Sequence, residues 1–153
     1  MQQLYPLPRP VVAAAIVDSL EHPTRLLCTS RAYPSRLRGL YEFPGGKVDS
    51  NEDPRVALQR ELEEELDVRV TLGAEVVPLA DEAERDNDGF PAWPILEGRT
   101  MRVWMGQLLS DELPRPGGSH LDAIWLTFDA AQQLSWLPSN RPILTRLLAG
   151  LPA

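Results

Sequence analysis

The residues best suited to chemistry lie in one acidic segment. Between Glu52 and Asp67 stand seven acids, Glu52, Asp53, Glu61, Glu63, Glu64, Glu65 and Asp67, against two bases, Arg55 and Arg60. On a helix, Glu61, Glu64 and Glu65 fall at i, i+3 and i+4, so they project from one face with their carboxylates close enough to repel. Arg60 stands four residues before Glu64 and can pair with it, whereas nothing at helical spacing neutralises Glu61 or Glu65. Such repulsion costs about 0.2–0.5 kcal/mol per exposed pair, and a hard cation bound between the carboxylates would remove it. Oxygen donors fixed on a helix, completed by water and phosphate oxygens, are what Mg²⁺ prefers, and Mn²⁺ suits the same donors. A solvated charged face is the plain alternative for any Glu-rich helix. Two features set this helix apart: it has no lysine partners, and the turn Pro44-Gly45-Gly46-Lys47 directly precedes it.

That turn lets the backbone approach a ligand closely. It is not a phosphate-binding P-loop, which would need Gly at position 41 and Ser or Thr at 48, where the chain has Tyr41 and Val48. A formal charge of −7 and an isoelectric point near 4.8 argue against binding of long DNA or RNA, which requires a basic surface. A small phosphorylated substrate is compatible with this charge only if a local basic pocket or a divalent cation offsets the repulsion.

From Gly46 the chain runs five residues to Glu52, seven more to Arg60, and then Glu61-Leu62-Glu63-Glu64-Glu65-Leu66-Asp67-Val68. This resembles the Nudix box, G-x5-E-x7-R-E-U-x-E-E-x-G-U with U apolar, matching eight of nine specified positions over 23 residues. The departure is Asp67, where the family has Gly to ease a left-handed turn; Asp tolerates that conformation better than most residues. The resemblance implies an α/β protein of Nudix fold, an α/β/α sandwich with a mixed β-sheet. It also implies hydrolysis of a nucleoside diphosphate linked to another group, with Mg²⁺ or Mn²⁺ as cofactor. By the family's pattern Glu61, Glu64 and Glu65 hold metal, the Gly45 carbonyl completes the coordination, and Glu61 is also a candidate for activating water. Glu52 and Arg60 orient the loop and the helix.

The stretch Tyr41-Glu42-Phe43-Pro44-Gly45-Gly46-Lys47 is similar to the MutT-like subgroup, in which this turn, here with Glu42, Phe43 and Lys47, lines the nucleotide pocket. Arg31 falls where that subgroup places a phosphate-contacting Arg. The segment Leu137-Pro138-Ser139-Asn140-Arg141-Pro142-Ile143 resembles the subgroup's C-terminal segment, in which an Asn at the Asn140 position reads an oxidised guanine. An Asn can pair with a purine edge because it carries both donor and acceptor. The plainer reading of Asn140 is a cap for the last helix. A second departure is Ser119, where MutT-like enzymes often carry an acid; Asp122 is the nearest acid. The implied activity is release of a nucleoside monophosphate and pyrophosphate from 8-oxo-dGTP or a cytidine nucleotide, as in sanitation of the nucleotide pool. The alternatives are an ADP-ribose or dinucleotide pyrophosphatase and a non-catalytic nucleotide sensor.

The elements that must position these groups follow from pattern. Residues 11–17 and 25–30 read as strands joined in a hairpin, and 68–72, 74–79, 101–109 and 123–128 as further strands. Asp53 is a good N-cap and Pro54 suits the first helical position, with Val56, Leu58, Leu62 and Leu66 as apolar anchors. Residues 134–148 should turn helical in their second part, bounded by Pro138 and Pro142. The polar excursion 81–99 reads as a surface loop, with a lid, a pocket wall through Trp93 or a dimer interface as alternatives. Trp104, Trp125 and Cys28 read as core. At 153 residues with one cysteine, the chain is expected to form a single domain over 1–153, without internal disulfide or Cys/His zinc cage. No bilayer span or secretory signal is apparent, so the expected setting is the cytoplasm and the expected state a monomer or homodimer.

Overall fold

The computed structural model describes residues 9–111, 113–117 and 120–151, so Ser119 lies outside the described residues. Its centre is β1 (Val11–Ile16), an almost unbroken apolar run in which every residue from Val12 onward is buried. A strand buried on both faces needs no polar alternation, and β1 feeds two cores. Val12, Ala14 and Ile16 face one; Ala13 and Ala15 face the other.

Both edges of β1 are occupied. It pairs in parallel with β8 (Thr100–Leu108), from Val11↔Met101 to Ile16↔Gly106, and antiparallel with the short β4 (Gly45–Lys47). The far edge of β8 carries β5 (Val70–Val76) and, further along, β7 (Pro91–Pro94), which in turn pairs with β6 (Glu84–Arg85). The result is a six-stranded mixed sheet. Beside it lies a three-stranded antiparallel sheet of β3 (Tyr41–Glu42), β2 (Arg25–Arg31) and β9 (His120–Thr127). The expected hairpin of the first two strands does not form as a ladder. With β8 and β4 on its edges, β1 packs on β2 through side chains of both cores, the backbones pair only beyond the end of β1 at the isolated bridge Val17↔Leu26, and β2 joins the other sheet.

Helix α1 (Pro54–Leu66) starts as its sequence dictates: the Asp53 carboxylate accepts the Arg55 N–H at 2.8 Å and Pro54 occupies the first turn. It stops at Asp67, which adopts the left-handed conformation (φ 57°, ψ 40°) expected of the box Gly. Its buried face is Ala57, Leu58, Leu62 and Leu66, packed on Val12, Ala14, Ile16 and Trp104. Val56, expected among the anchors, is 58% exposed, because two residues of helix place it about 200° away from Leu58. The opposite face of the sheet is covered by α3 (Arg141–Ala149) through Ile143, Leu144 and Leu147, with Trp136 and the buried Cys28 in the same cluster. Helix, sheets and helix thus give the α/β/α layering. A short α2 (Phe128–Gln132), capped by the Thr127 hydroxyl, was not legible in the pattern.

Within 68–79 there is one strand, β5 at Val70–Val76, where two were expected, with a register irregularity between Leu72 and Glu75. The excursion 81–99 is ordered into the β6–β7 hairpin and a turn. Arg102 pins it: its guanidinium sits 4.4 Å from the Phe90 ring and 4.7 Å from the Trp104 ring and bonds both Glu75 oxygens at 2.8 and 2.9 Å.

Candidate active site

Two glycines bring the turn onto its neighbours. A Cβ on Gly45 would lie 1.9 Å from the Val12 carbonyl oxygen, and a Cβ on Gly46 would lie 2.2 Å from the Glu61 carboxyl. The turn therefore rests on β1 on one side and cradles Glu61 of α1 on the other. Arg60 fastens the assembly. Its Nε and Nη2 donate to the two Glu52 oxygens at 2.9 Å each, Nη2 also donates to the Lys47 carbonyl at 3.1 Å, and Nη1 reaches Glu61 at 3.0 Å and Glu64 at 3.4 Å. Helical spacing alone leaves Glu61 unneutralised; in the fold the side chain of its immediate neighbour Arg60 bends back to it.

These contacts set the protonation of the site. Hydrogen bonds from Arg60, then from the Asp49 N–H, hold the Glu52 carboxyl down at about 2. The same Glu52 bonds push the Arg60 guanidinium up. Burial pushes Glu61 up, against the pull of Arg60 and with the help of Glu64 and Glu65. Burial likewise raises Glu42, opposed by Arg31.

A cleft of about 540 Å³ opens over this floor, within the range of small-molecule sites. It gathers Glu61, Glu65 and Gly45 with Arg31, Glu42, Phe43, Lys47 and Asn140. Glu52 and Arg60 support it from outside. Glu64 does not line it, and its side chain is 58% exposed, against 14% for Glu61 and 23% for Glu65. As they lie, no three acidic, imidazole or thiol groups among the described residues enclose a point where a cation would sit. The donors nevertheless fit a hard divalent ion. They are carboxylates and a backbone carbonyl, and the mutual repulsion that raises Glu61 is the kind a cation relieves. Glu61, Glu65 and Gly45 are the cleft-lining groups that would hold it, whereas the Glu64 carboxylate lies outside the cleft, 3.4 Å from Arg60 Nη1.

Asn140 is 4% exposed and makes no side-chain cap for α3. Its Oδ1 accepts the Phe43 N–H at 3.1 Å, tying the C-terminal segment to the glycine turn across 97 residues. Its Nδ2 donates to the Ser139 hydroxyl at 3.3 Å. Phe43 in turn packs on Trp136, ring centroids 5.1 Å apart. Sequence spacing did not single out Arg9, Arg36, Arg99 or His120, all of which line the cleft. Arg36 comes from the 3-10 turn Ser35–Leu37, and Arg99 closes a second 3-10 turn, Leu96–Gly98, after β7. With Arg9, Arg31 and Lys47 they make a basic wall in an acidic protein. The excursion 81–99 supplies a wall through Ile95, Leu96, Glu97 and Arg99, whereas Trp93 is 2% exposed in the core and donates its indole N–H to Val76 O at 2.8 Å. Trp104 is buried as expected; Trp125 is only partly buried.

A helix-borne carboxylate set, a glycine turn and a basic wall in an α/β/α sandwich are the groups that a metal-assisted phosphate-cleaving site would need. Residues 7–147 match the NUDIX domain family, and the chain belongs to it. Hydrolases of this family use a divalent metal and act on small nucleotide substrates. The chain is 37% identical over 132 residues to a Mycobacterium tuberculosis (strain CDC 1551 / Oshkosh) protein provisionally named 8-oxo-dGTP diphosphatase 2, covering 86% of this chain and 82% of that protein. It is 31% identical over 138 residues to the Escherichia coli (strain K12) CTP pyrophosphohydrolase, covering 90% of each. Among solved structures, the solution structure of the E. coli ORF135 protein superposes with a TM-score of 0.66 at 27% identity, covering 92% of this chain and 89% of that one. No helix among the described residues is long and apolar enough to cross a membrane.

Proposed function

We propose that the protein is a nucleoside triphosphate pyrophosphohydrolase of MutT type, cleaving 8-oxo-dGTP or a cytidine nucleotide to the monophosphate and pyrophosphate with Mg²⁺ or Mn²⁺. The observation that carries this reading is the convergence of Glu61, Glu65 and the Gly45-Gly46 turn with a five-residue basic wall in one cleft. The names of the two curated relatives, a diphosphatase of 8-oxo-dGTP and a pyrophosphohydrolase of CTP, support it.

When bound, the cation lowers the pKa of the attacking water and neutralises phosphate charge. Glu61, Glu64 and Glu65, with the Gly45 carbonyl, hold it. Glu61, its carboxyl raised by burial, takes the proton of the water. Arg31 and Lys47 hold the phosphates, and Arg60 and Glu52 keep Glu61 and the glycine turn in register. Phe43 and Glu42 shape the floor. Since Asn140 Oδ1 is committed to the Phe43 N–H, the group it offers a base is the Nδ2 donor, which suits a carbonyl oxygen such as guanine O6 or cytosine O2. The whole chain acts as one cytoplasmic domain, as a monomer or homodimer.

Incubation with (d)NTPs, 8-oxo-dGTP, ADP-ribose and dinucleotides in Mg²⁺ tests the reading, with Glu64→Gln and Glu65→Gln as controls. Pyrophosphate is expected from 8-oxo-dGTP or CTP and should fall at least about 100-fold in the controls. No pyrophosphate from any triphosphate would reject it; preferred turnover of ADP-ribose or a dinucleotide would favour that alternative, and no turnover at all a sensor.

A further inference from the structure

His120, the first residue of β9, has no part in the chemistry above, yet it occupies the junction of the site. Its side chain is 3% exposed. Nδ1 is buried with no hydrogen-bond partner among the described residues, facing Glu65 Oε2 at 3.5 Å; Nε2 faces Glu42 Oε2 at 3.8 Å. A core histidine serving only to fill space would have its ring nitrogens satisfied, because burying an unpaired donor or acceptor is costly. Here both nitrogens look at carboxylates, and both carboxylates line the cleft. The other oxygen of Glu42 takes Arg31 Nη1 at 3.1 Å. An ordered series, Arg31, Glu42, His120, Glu65, thus crosses the floor from the basic wall to the acidic helix, drawing on β2, β3, β9 and α1.

The backbone is built to aim this ring inward. Ser30 pairs with Asp122 but Arg31 pairs with His120, so β9 carries one extra residue at this point. In a regular strand His120 and Asp122 would share a face; the irregularity separates them, leaving Asp122 exposed and His120 buried. Bulges of this kind re-aim side chains beside functional sites.

We propose that His120 is a positioning residue, donating from Nδ1–H to Glu65 to hold that carboxylate toward the cleft. This rests on the reading of Glu65 as a metal-holding group. Nδ1 carries a hydrogen both in the imidazolium and in one neutral tautomer, so the donation does not depend on charge state.

The test is Mn²⁺ titration of the full chain, followed by water-proton relaxation, for wild type, His120→Asn, His120→Gln, His120→Ala and Glu65→Gln. The amide nitrogen of Asn falls near the place of Nδ1 and that of Gln near Nε2. His120→Ala and His120→Gln should weaken Mn²⁺ binding about 10-fold or more, with kcat falling and the nucleotide KM little changed, while His120→Asn stays within about threefold of wild type. Equal losses for Asn and Gln, or unchanged affinity in all three His120 variants while Glu65→Gln loses Mn²⁺, would overturn the proposal. Unchanged affinity in Glu65→Gln would instead remove the metal-site reading beneath it. Should His120→Ala fail to fold, nitrogen NMR of the wild-type ring decides: a proton on Nδ1 is expected, and a ring protonated at Nε2 alone overturns it.

Discussion

On the proposed function Asn140 combines a structural and a recognition role, and substitution tests each. Asn140→Ala strands the buried Phe43 N–H and should destabilise the fold by about 1–3 kcal/mol, read as a lower melting temperature. Asn140→Asp keeps an oxygen for the Phe43 N–H but loses the Nδ2 donor, so kcat/KM for the preferred base should drop about 10-fold or more, beyond the loss of stability from burying its carboxylate. Glu52 gives a pH-dependent counterpart. Its carboxyl, held at about 2 by Arg60 against an ordinary 4.5, stays ionised when unfolded Glu protonates. Its contribution is therefore complete above the ordinary Glu range and lost as pH falls from there through about 2. Thermal melts should show the gap between wild type and Glu52→Gln closing over that window. Glu61 shifts the other way: with its carboxyl raised by burial, Mn²⁺ affinity should begin to fall, as pH drops, above the pH at which an exposed Glu would titrate. An acid limb indistinguishable from that of an exposed Glu would contradict this.

At the level of elements, the glycine turn makes two contacts whose loss should look different. Gly45→Ala drives a Cβ into the Val12 backbone, which cannot yield, so the β1–β4 pairing and the melting temperature should suffer. At Gly46→Ala the three nearest atoms all belong to the Glu61 carboxyl, the far end of a side chain, so the fold should survive while Mn²⁺ affinity and turnover fall about 10-fold as that carboxyl is displaced. Melting curves and metal titration on the two proteins separate these outcomes. The turn, the placing of Glu61 and Glu65 on the cleft and the Asp53 cap were legible in the sequence because they lie on one contiguous stretch where spacing along the chain equals spacing in the fold, whereas helical spacing put Glu64 with them and the fold leaves it outside the cleft. Position 67 was legible for the same reason. The partnership of β1 and β2 was not: an all-apolar strand carries no sign of which neighbour takes its edge, and here β8, some ninety residues on, takes it. His120, Arg36 and Arg99 reach the cleft through strand register and turns, leaving no local periodicity to read.

Over the whole molecule, charge is distributed against its average. The chain carries −7, yet Arg9, Arg31, Arg36, Lys47 and Arg99 share one cleft. Attraction of a polyanionic substrate should thus be local and screened, with KM rising several-fold between about 0.01 and 0.15 M salt while kcat changes little. Steady-state kinetics across that range would detect it. The Arg102 clamp between Phe90 and Trp104 gives the hairpin of β6 and β7 its own attachment, separate from the carboxylates and the glycine turn. The exposed Leu96 and Glu97 at the tip of the next turn line the cleft, whereas Ile95 packs on the core that holds Phe43 and Arg99 bonds the Arg9 carbonyl, so the mouth of the cleft has two freely variable positions on an otherwise anchored rim.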